Sequence, residues 1–362
     1  MRTESGAVNP KIVRTRKRVG LFALSVALLG GLAWLLMPAP DPLFHGKRES
    51  EWIKAVDYSR GDEQSKQWKD FGQGGVHVLI RALDRANGDR RSHWERIYLR
   101  LHEATKSQMP VFLLRWLPRM SWDSTYITRL SLIQLLSQLG NESKSATPSM
   151  TRALSDGASG VRMVAISFFT WSEDQNSRLK HLSQQEKQAL LPEFIRLAQD
   201  PGFGVRNNAV IALRYFPEQS RSVAPVLEKV MHDPSLQVRI CAAESLYRVA
   251  PDRIRNVDLV SVVIAILKDP DRWGAVRAAG LLGEMRAEPA LDVPALIEAL
   301  QDTDDLVASS AARALANFRN QADQIIPALK RTARRKDNVG DWANDSLRQL
   351  ELETTPDPGG QK

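Results

Sequence analysis

DPSLQVRICAAESL, residues 233–246, decides the fold of this 362-residue chain, because nearly the same stretch occurs again nearby. DPGFGVRNNAVIAL, residues 200–213, shares its Asp-Pro start, its Val-Arg pair and its apolar residues three, four and seven places past the arginine. Asp-Pro ends one helix and turns the chain. The three- and four-residue spacing that follows is typical of a helix with one packed face. The stretch therefore predicts a turn followed by a packed helix.

The stretch recurs along most of the chain with a period of about 33 residues. Its arginine position falls at residues 129, 162, 206, 239, 275, 308 and 340, where alanine or glycine replaces arginine at the last three. The longest step, from 162 to 206, contains a polar insertion around residues 172–187. A period in the thirties with two helices per unit is typical of an α-solenoid, whose stacked repeats bury one another's apolar faces.

Another apolar helix is predicted before each turn, as in PEFIRLAQD and VAPVLEKVMHD. Each of these helices closes on an aspartate: Asp200, Asp233, Asp269 and Asp302. The predicted fold class is therefore all-α, with stacked helix pairs from residue 76 to residue 352.

The DP-x-x-x-VR-x-x-AA-x-x-L pattern resembles the HEAT repeat, in the short bacterial form also found in phycobilisome lyases. The resemblance is strongest over residues 147–316 and is weaker over 76–146 and 317–350. It implies a right-handed α-solenoid, and a ladder of aspartates and arginines that links one repeat to the next. The structural repeat positions are Asp200, Arg206, Asp233, Arg239, Asp269, Arg277 and Asp302. Since arginine is missing from the last three repeats, we expect the ladder to weaken toward the C-terminus.

An apolar run near the N-terminus predicts a membrane anchor. Residues 19–37 read VGLFALSVALLGGLAWLLM, nineteen residues without a charge. At about 1.5 Å per residue this run just spans a hydrocarbon core of about 30 Å. The preceding residues 1–18 hold six lysines and arginines against one glutamate, a net charge of +5, so this tail should stay cytoplasmic. The solenoid is then expected on the outer, periplasmic or extracellular, side.

Two other interpretations of the apolar run are a cleaved signal peptide and a buried helix. The length of the run and the PAPDP that follows it disfavour cleavage. With the anchor uncleaved, the predicted segments are a basic tail (1–18), a transmembrane helix (19–37), a juxtamembrane segment with one short helix (38–75), the solenoid (76–352) and a disordered tail (353–362).

No residue pattern predicts catalysis, a cofactor or a metal site. The six histidines form no HExxH or His-x-His pair, and G-x-S-x-G is absent. The single cysteine, Cys241, is interpreted as a small apolar residue of the repeat core. The chain is therefore predicted not to be an enzyme. The lyase resemblance leaves a bilin-lyase-like or other enzyme-associated role as an alternative, and a purely structural envelope element as a third.

The predicted partner is another protein, bound in a groove built from the helices that carry the repeated stretch. Polar or aromatic residues interrupt the apolar pattern there: Asn207, Asn208, Tyr215, Glu244 and Arg248. The arginine-rich segment 81–129, including Arg90, Arg91 and Trp94, is a second candidate surface, for an acidic protein, lipid or glycan. Its alternative is a solvated helix face over aromatic core residues. No nucleic-acid partner is expected, because the basic tail contributes +5 of the net charge of +8.

Overall fold

A computed structural model of the chain describes residues 41–57, 61–88, 124–170, 177–256 and 258–354. The predicted anchor and the candidates Arg90, Arg91 and Trp94 lie outside these ranges. Within these ranges, every helix is too short or too polar to cross a membrane. The chain separates into two compact units, Met1–Trp52 and Ile53–Lys362.

A small β-hairpin occupies the described part of the first unit, and the sequence did not predict it. Strand β1 (Leu43–Phe44) pairs antiparallel with β2 (Lys47–Arg48). His45 and Gly46 form the turn with φ of 47° and 77°. Two-residue hairpin loops need positive φ at such positions, because only then does the turn match the twist of the strands. Helix α1 (Glu49–Lys54) follows directly and corresponds to the short helix predicted within residues 38–75.

The second unit is an array of helices joined by short turns and 3₁₀ segments. In chain order they are α2 (Gly61–Asp70), α3 (Gly72–Gly88), α4 (Ser124–Gln138), α5 (Thr147–Ala153), α6 (Ser159–Thr170), α7 (Arg178–His181), α8 (Gln184–Leu197), α9 (Phe203–Leu213), α10 (Ser220–Val230), α11 (Leu236–Val249), α12 (Leu259–Leu267), α13 (Arg272–Met285), α14 (Pro289–Ala299), α15 (Asp305–Leu315), α16 (Ala322–Thr332) and α17 (Asn338–Thr354).

The helices that carry the repeated stretch stack on one another along the array. We call α4, α6, α9, α11, α13, α15 and α17 the second helices, and each packs on the next. We call α8, α10, α12, α14 and α16 the first helices, and each packs on the second helix that follows it. For the described residues this arrangement confirms the predicted all-α fold of stacked helix pairs, apart from the β-hairpin. The right-handed sense stays a prediction.

Small residues allow the second helices to approach closely. Ala242 and Ala243 of α11, like Ala278 and Ala279 of α13, have no exposed surface. At Gly283 of α13 an added Cβ would stand 2.7 Å from the Cβ of Ala314, closer than real Cβ atoms come. A side chain at position 283 would therefore push α13 away from α15, which explains the glycine there.

The helical array begins before the predicted start of the solenoid at residue 76. Helix α3 begins at Gly72, so the glycines of FGQGG lie in its first turn rather than in a loop. At Gly75 a Cβ would stand 2.8 Å from the Cβ of Phe71, so this glycine permits a close approach. Glycine is a poor helix former, so three glycines within five residues would by themselves favour a turn over a helix. At the other end, α17 extends to Thr354, two residues beyond the predicted end.

Candidate functional site

Arginine–aspartate ion pairs link consecutive repeats of the array. Arg162 of α6 donates from Nε and Nη2 to the two carboxylate oxygens of Asp200, both at 2.8 Å. Arg206 of α9 bonds Asp233 in the same way, at 2.6 and 2.9 Å. Paired parallel hydrogen bonds of this kind fix orientation as well as distance. Each arginine thus joins its own second helix to the turn of the next repeat.

The same arginines also hold the turn of their own repeat. Nη1 of Arg162 donates to the backbone carbonyls of Asp156 and Gly157 at 2.8 and 2.9 Å. Nη1 of Arg206 donates to those of Asp200 and Pro201 at 2.9 and 3.0 Å. In addition, each turn aspartate accepts a hydrogen bond from the backbone N–H two residues later: Asp156, Asp200, Asp233, Asp269 and Asp302. The Asp and Arg of the repeated stretch are therefore parts of one hydrogen-bonded unit.

The ladder loosens toward the C-terminus, the direction expected from the missing arginines. Nη2 of Arg239 stands 4.0 Å from Oδ2 of Asp269. Residue 275 is alanine, so no arginine occupies the ladder position that would reach Asp302. Arg272, three residues earlier, bonds Asp304 instead, at 2.6 Å. The regular ladder therefore ends at Asp269.

Sequence reasoning missed the N-terminal beginning of the ladder. Nε of Arg129 lies 3.5 Å from Oδ2 of Asp156, with 0% and 2% of the two side chains exposed. Asp156 is followed by glycine rather than proline, so the Asp-Pro signal is absent there. The recurrence of arginine at 129 and 162 was the signal that could have pointed to it.

A groove of about 590 Å³ crosses α11, α13, α15 and α17. The polar and aromatic residues that line the groove lie mainly two, five and nine residues after the arginine position of each repeat (plus two, plus five and plus nine). The plus-two residues are Arg277, Ser310 and Trp342, and the plus-five residues are Glu244, Arg313 and Asp345. The plus-nine residues are Arg248, Glu284, Asn317 and Gln349. Residues spaced by three and four lie on one face of a helix. This face differs from the buried plus-three, plus-four and plus-seven face that packs the array.

The structure places the five candidate partner residues along this repeated face. Glu244 and Arg248 line the groove. Asn208 and Tyr215 occupy the plus-two and plus-nine positions of the preceding repeat, so the same face continues onto α9, and Nδ2 of Asn208 lies 3.4 Å from Oγ of Ser167. Asn207, at plus one, is half-buried beside Asn208.

Arg277 was among the predicted repeat positions of the ladder. In the structure it lines the groove instead and pairs with Glu244, not with a turn aspartate. It stands two places after the ladder position, a rotation of about 200° around the helix. Its guanidinium donates to the carboxylate of Glu244, with 2.7 Å between Nε and Oε1. Nη2 of Arg214 stands 3.8 Å from Oε2 of the same carboxylate. Arg214, Glu244 and Arg277 therefore link α9, α11 and α13, next to the place where the ladder loosens.

Two features of this cluster follow from burial. Burial lowers the pKa of the Arg214 guanidinium, although the nearby Glu244 charge opposes the shift. Burial likewise raises the pKa of the Cys241 thiol, whose Sγ stands 3.5 Å from Nη1 of Arg277. Cys241 therefore stays a protonated thiol at neutral pH, which suits a core residue and not a nucleophile.

The C-terminal half of the groove exposes a cation stacked on an aromatic ring. The guanidinium of Arg313 lies 4.8 Å from the centroid of Trp342, whose side chain is 41% exposed. Arg248 and Glu284 are also exposed. The groove thus presents positive, negative and aromatic groups together, a combination that suits the mixed side chains of a polypeptide.

The described ranges contain no cluster of three or more histidine, cysteine, aspartate or glutamate side chains that could hold a metal ion. The groove lining contains neither histidine nor cysteine. Oγ of Ser346 in the groove donates to the backbone carbonyl of Ala312 at 2.9 Å. The arrangement therefore offers contacts for binding and no paired nucleophile and imidazole base.

Comparison with known proteins bears on the C-terminal half of the array. A family model described as HEAT repeats matches residues 260–348. No curated protein matches the chain. Similar solved structures include Escherichia coli YibA, with 17% identity, a TM-score of 0.47, and coverage of 70% of this chain and 86% of that one. An engineered protein has 19% identity, a TM-score of 0.43, and coverage of 57% and 96%.

Computationally designed armadillo repeat proteins for modular peptide recognition are also similar, with 18% identity, a TM-score of 0.39, and coverage of 56% of this chain and 99% of theirs. The range matched by the family model contains α13 and α15 entirely, and with them the Arg313 side of the groove. Residues 260–348 of this chain are therefore similar to HEAT repeats.

Proposed function

We propose that this chain is a membrane-anchored, non-catalytic scaffold that binds another protein in the groove across α11, α13, α15 and α17. The observation that carries the proposal is the repeated use of one helix face. In four consecutive repeats the plus-five and plus-nine positions line the groove, joined by plus-two in the last three, while the plus-three and plus-seven positions are buried in the array. A surface repeated in this way suits a ligand that is itself elongated.

The dimensions of the groove suit an extended segment of polypeptide. Neighbouring helices pack about 8–10 Å apart, so four of them span about 24–30 Å. An extended chain rises about 3.3 Å per residue, which corresponds to a segment of about seven to nine residues. Arg248 and Arg313 would meet acidic side chains of this segment, Glu284 a basic one, and Trp342 an apolar or aromatic one.

The test of the groove is a crosslinked pull-down of the full-length chain from detergent-solubilised membranes. The double variant Arg313→Glu/Trp342→Ala should reduce recovery of the main captured protein at least tenfold, because it removes the stacked cation and its ring. Arg331→Glu is the matched control, since Arg331 is an exposed arginine on the first helix α16 and lies outside the groove.

Equal capture by the groove variant and by Arg331→Glu would remove this groove as the binding surface. Loss of capture in both variants would point to a general charge effect. Capture that depends on Arg313 and Trp342 alone would support the proposal, and the recovered protein could then be tested directly in purified form.

Membrane anchoring is a separate part of the proposal, supported by the apolar run at residues 19–37 and the basic residues before it. We expect the wild-type chain to stay with membranes after carbonate extraction, and Leu29→Arg to release it, because an arginine in mid-span costs about 2.5–3.5 kcal/mol of insertion free energy. Leu29→Ile is the control and should stay bound. Release of the wild-type chain by carbonate would contradict the anchor. Protection of the solenoid from protease added to cells whose outer membrane, where there is one, has been permeabilised would contradict the proposed orientation.

A further inference from the structure

Asp292 is a charged residue at an apolar core position of the repeat. Four of the first helices contain an internal proline, and the residue two places before it is Leu190 in α8, Val223 in α10, Asp292 in α14 and Ile325 in α16. The three aliphatic side chains are at most 3% exposed, and Asp292 is 0% exposed. The aspartate therefore occupies a site that the other three helices fill with hydrocarbon.

The Asp292 carboxylate is only partly satisfied in this site. Its Oδ2 accepts a hydrogen bond of 3.1 Å from the backbone N–H of Glu288, the residue that precedes α14. Its Oδ1 is buried and has no hydrogen-bond partner in the described part of the chain. An ionised carboxylate in such surroundings is unfavourable, because the side chain is buried away from water and no cationic side chain in the described ranges forms an ion pair with it.

The charged residues on the helices around Asp292 do not stabilise its ionised carboxylate. Helix α12, packed against α14, consists of apolar residues and one serine, LVSVVIAIL. Glu288 is negative and makes ionisation of Asp292 harder. Arg277 of α13 is bonded to Glu244. The remaining charged residues of α13, α15 and α16 are exposed: Arg272, Glu284, Asp305, Arg313, Asp323, Lys330 and Arg331.

We propose that Asp292 makes the packing of α14 sensitive to pH: when charged, it favours local opening of the start of the helix, and when protonated, it lets that start pack as in the other repeats. Helix α14 packs on α15, which supplies Ser310 and Arg313 to the groove. At acid pH the start of α14 is therefore packed more stably beneath α15, the helix that lines the groove at this repeat. This effect of pH on α14 is independent of what the groove binds.

Proton linkage determines the direction in which pH changes the stability of α14. Burial, together with the charge of Glu288, raises the pKa of Asp292 to about 6 against an ordinary value of 3.8, and the bond from the Glu288 N–H only partly offsets this. The closed state thus holds the proton more tightly than the open state. The extra stability is fully present below about pH 4 and is lost as pH rises to about 6. Above that the effect is constant, and between pH 5.0 and pH 7.5 the opening equilibrium should rise about tenfold.

The test is hydrogen–deuterium exchange of the full chain in detergent at pH 5.0 and 7.5, expressed as protection factors corrected for intrinsic exchange. In the wild-type chain, peptides of α14 should lose about tenfold in protection at the higher pH. Peptides of α10, which has Val223 at the same position, are the internal control and should change little.

Two variants separate the carboxyl group from other effects. Asp292→Leu restores the residue type of α8 and should raise α14 protection at pH 7.5 while removing the pH dependence. Asp292→Asn keeps the size without the charge and should also remove the pH dependence. Wild-type α14 protection that is equal at both pH values would overturn the proposal. So would a pH dependence that persists in both variants.

Discussion

Asp200→Ala is expected to lower the free energy of unfolding by about 3–5 kcal/mol, the range found when one partner of a buried ion pair is removed. Asp200 and Arg162 are each 4% exposed, and both carboxylate oxygens are engaged by the guanidinium. Without the carboxylate, the arginine keeps its charge in a site closed to water. The measurement is urea unfolding of the full chain in detergent, followed by circular dichroism.

Asp302→Ala is the matched control, because Asp302 holds the same turn without a ladder arginine. Its carboxylate accepts the bond from the backbone N–H of Asp304 at 2.7 Å, the bond that Asp200 makes to Gly202. The free energy of unfolding of the control should therefore fall by about 1 kcal/mol, the contribution of one hydrogen bond. Equal losses in Asp200→Ala and Asp302→Ala would mean that the ion pair adds nothing to the turn. The double variant Arg162→Met/Asp200→Leu should lose less free energy of unfolding than the sum of the losses in Arg162→Met and in Asp200→Leu.

Arg178→Met is expected to lower the free energy of unfolding by about 3–4 kcal/mol, because it leaves several buried carbonyl groups without a donor. Arg178 is 8% exposed and donates to the backbone carbonyls of Phe168 at 2.6 Å and Gly140 at 2.5 Å, and to Oγ of Ser143 at 2.9 Å. It also stacks on the Phe168 ring at 3.8 Å. One side chain thus joins the C-terminal ends of α4 and α6.

Burial lowers the pKa of Arg178 to about 10, so the side chain stays cationic at neutral pH and keeps all its donors. Methionine has a similar length and no donor, so the variant removes the hydrogen bonds with little change in volume. Lys180→Met, on an exposed neighbour in the same short helix, is the control and should change stability by less than about 0.5 kcal/mol. If both variants unfold at the same urea concentration, Arg178 is not the link between the two helices.

The repeated stretch predicts most of the fold, because its signals are local. An Asp-Pro turn, a Val-Arg pair and small residues at plus three and plus four determine a helix pair and its packed face wherever they occur. The position of the groove residues Glu244 and Arg248 could be predicted for the same reason, since polar residues interrupting an alanine pattern have to face away from the packed side. Partner binding at this face stays a prediction.

The features that escaped the sequence depend on contacts with distant residues. Arg178 lies in a polar insertion, and nothing in its local pattern distinguishes a buried clamp from a solvated loop. Arg277 looks like a displaced ladder residue until the helix rotation turns it to Glu244. The hairpin at 43–48 has strands of two residues, too short for an alternating pattern to appear.

The ion pairs of the ladder become more exposed along the chain, from 4% for both partners at Arg162–Asp200 to 28% and 35% at Arg239–Asp269. Dissolved ions screen exposed charges far more than buried ones. Raising the ionic strength should therefore weaken the links between repeats unequally, beginning near Arg239 and leaving those near Arg162 almost unchanged. The ladder link most sensitive to the surrounding salt is therefore the one between α11 and α13, where the groove begins.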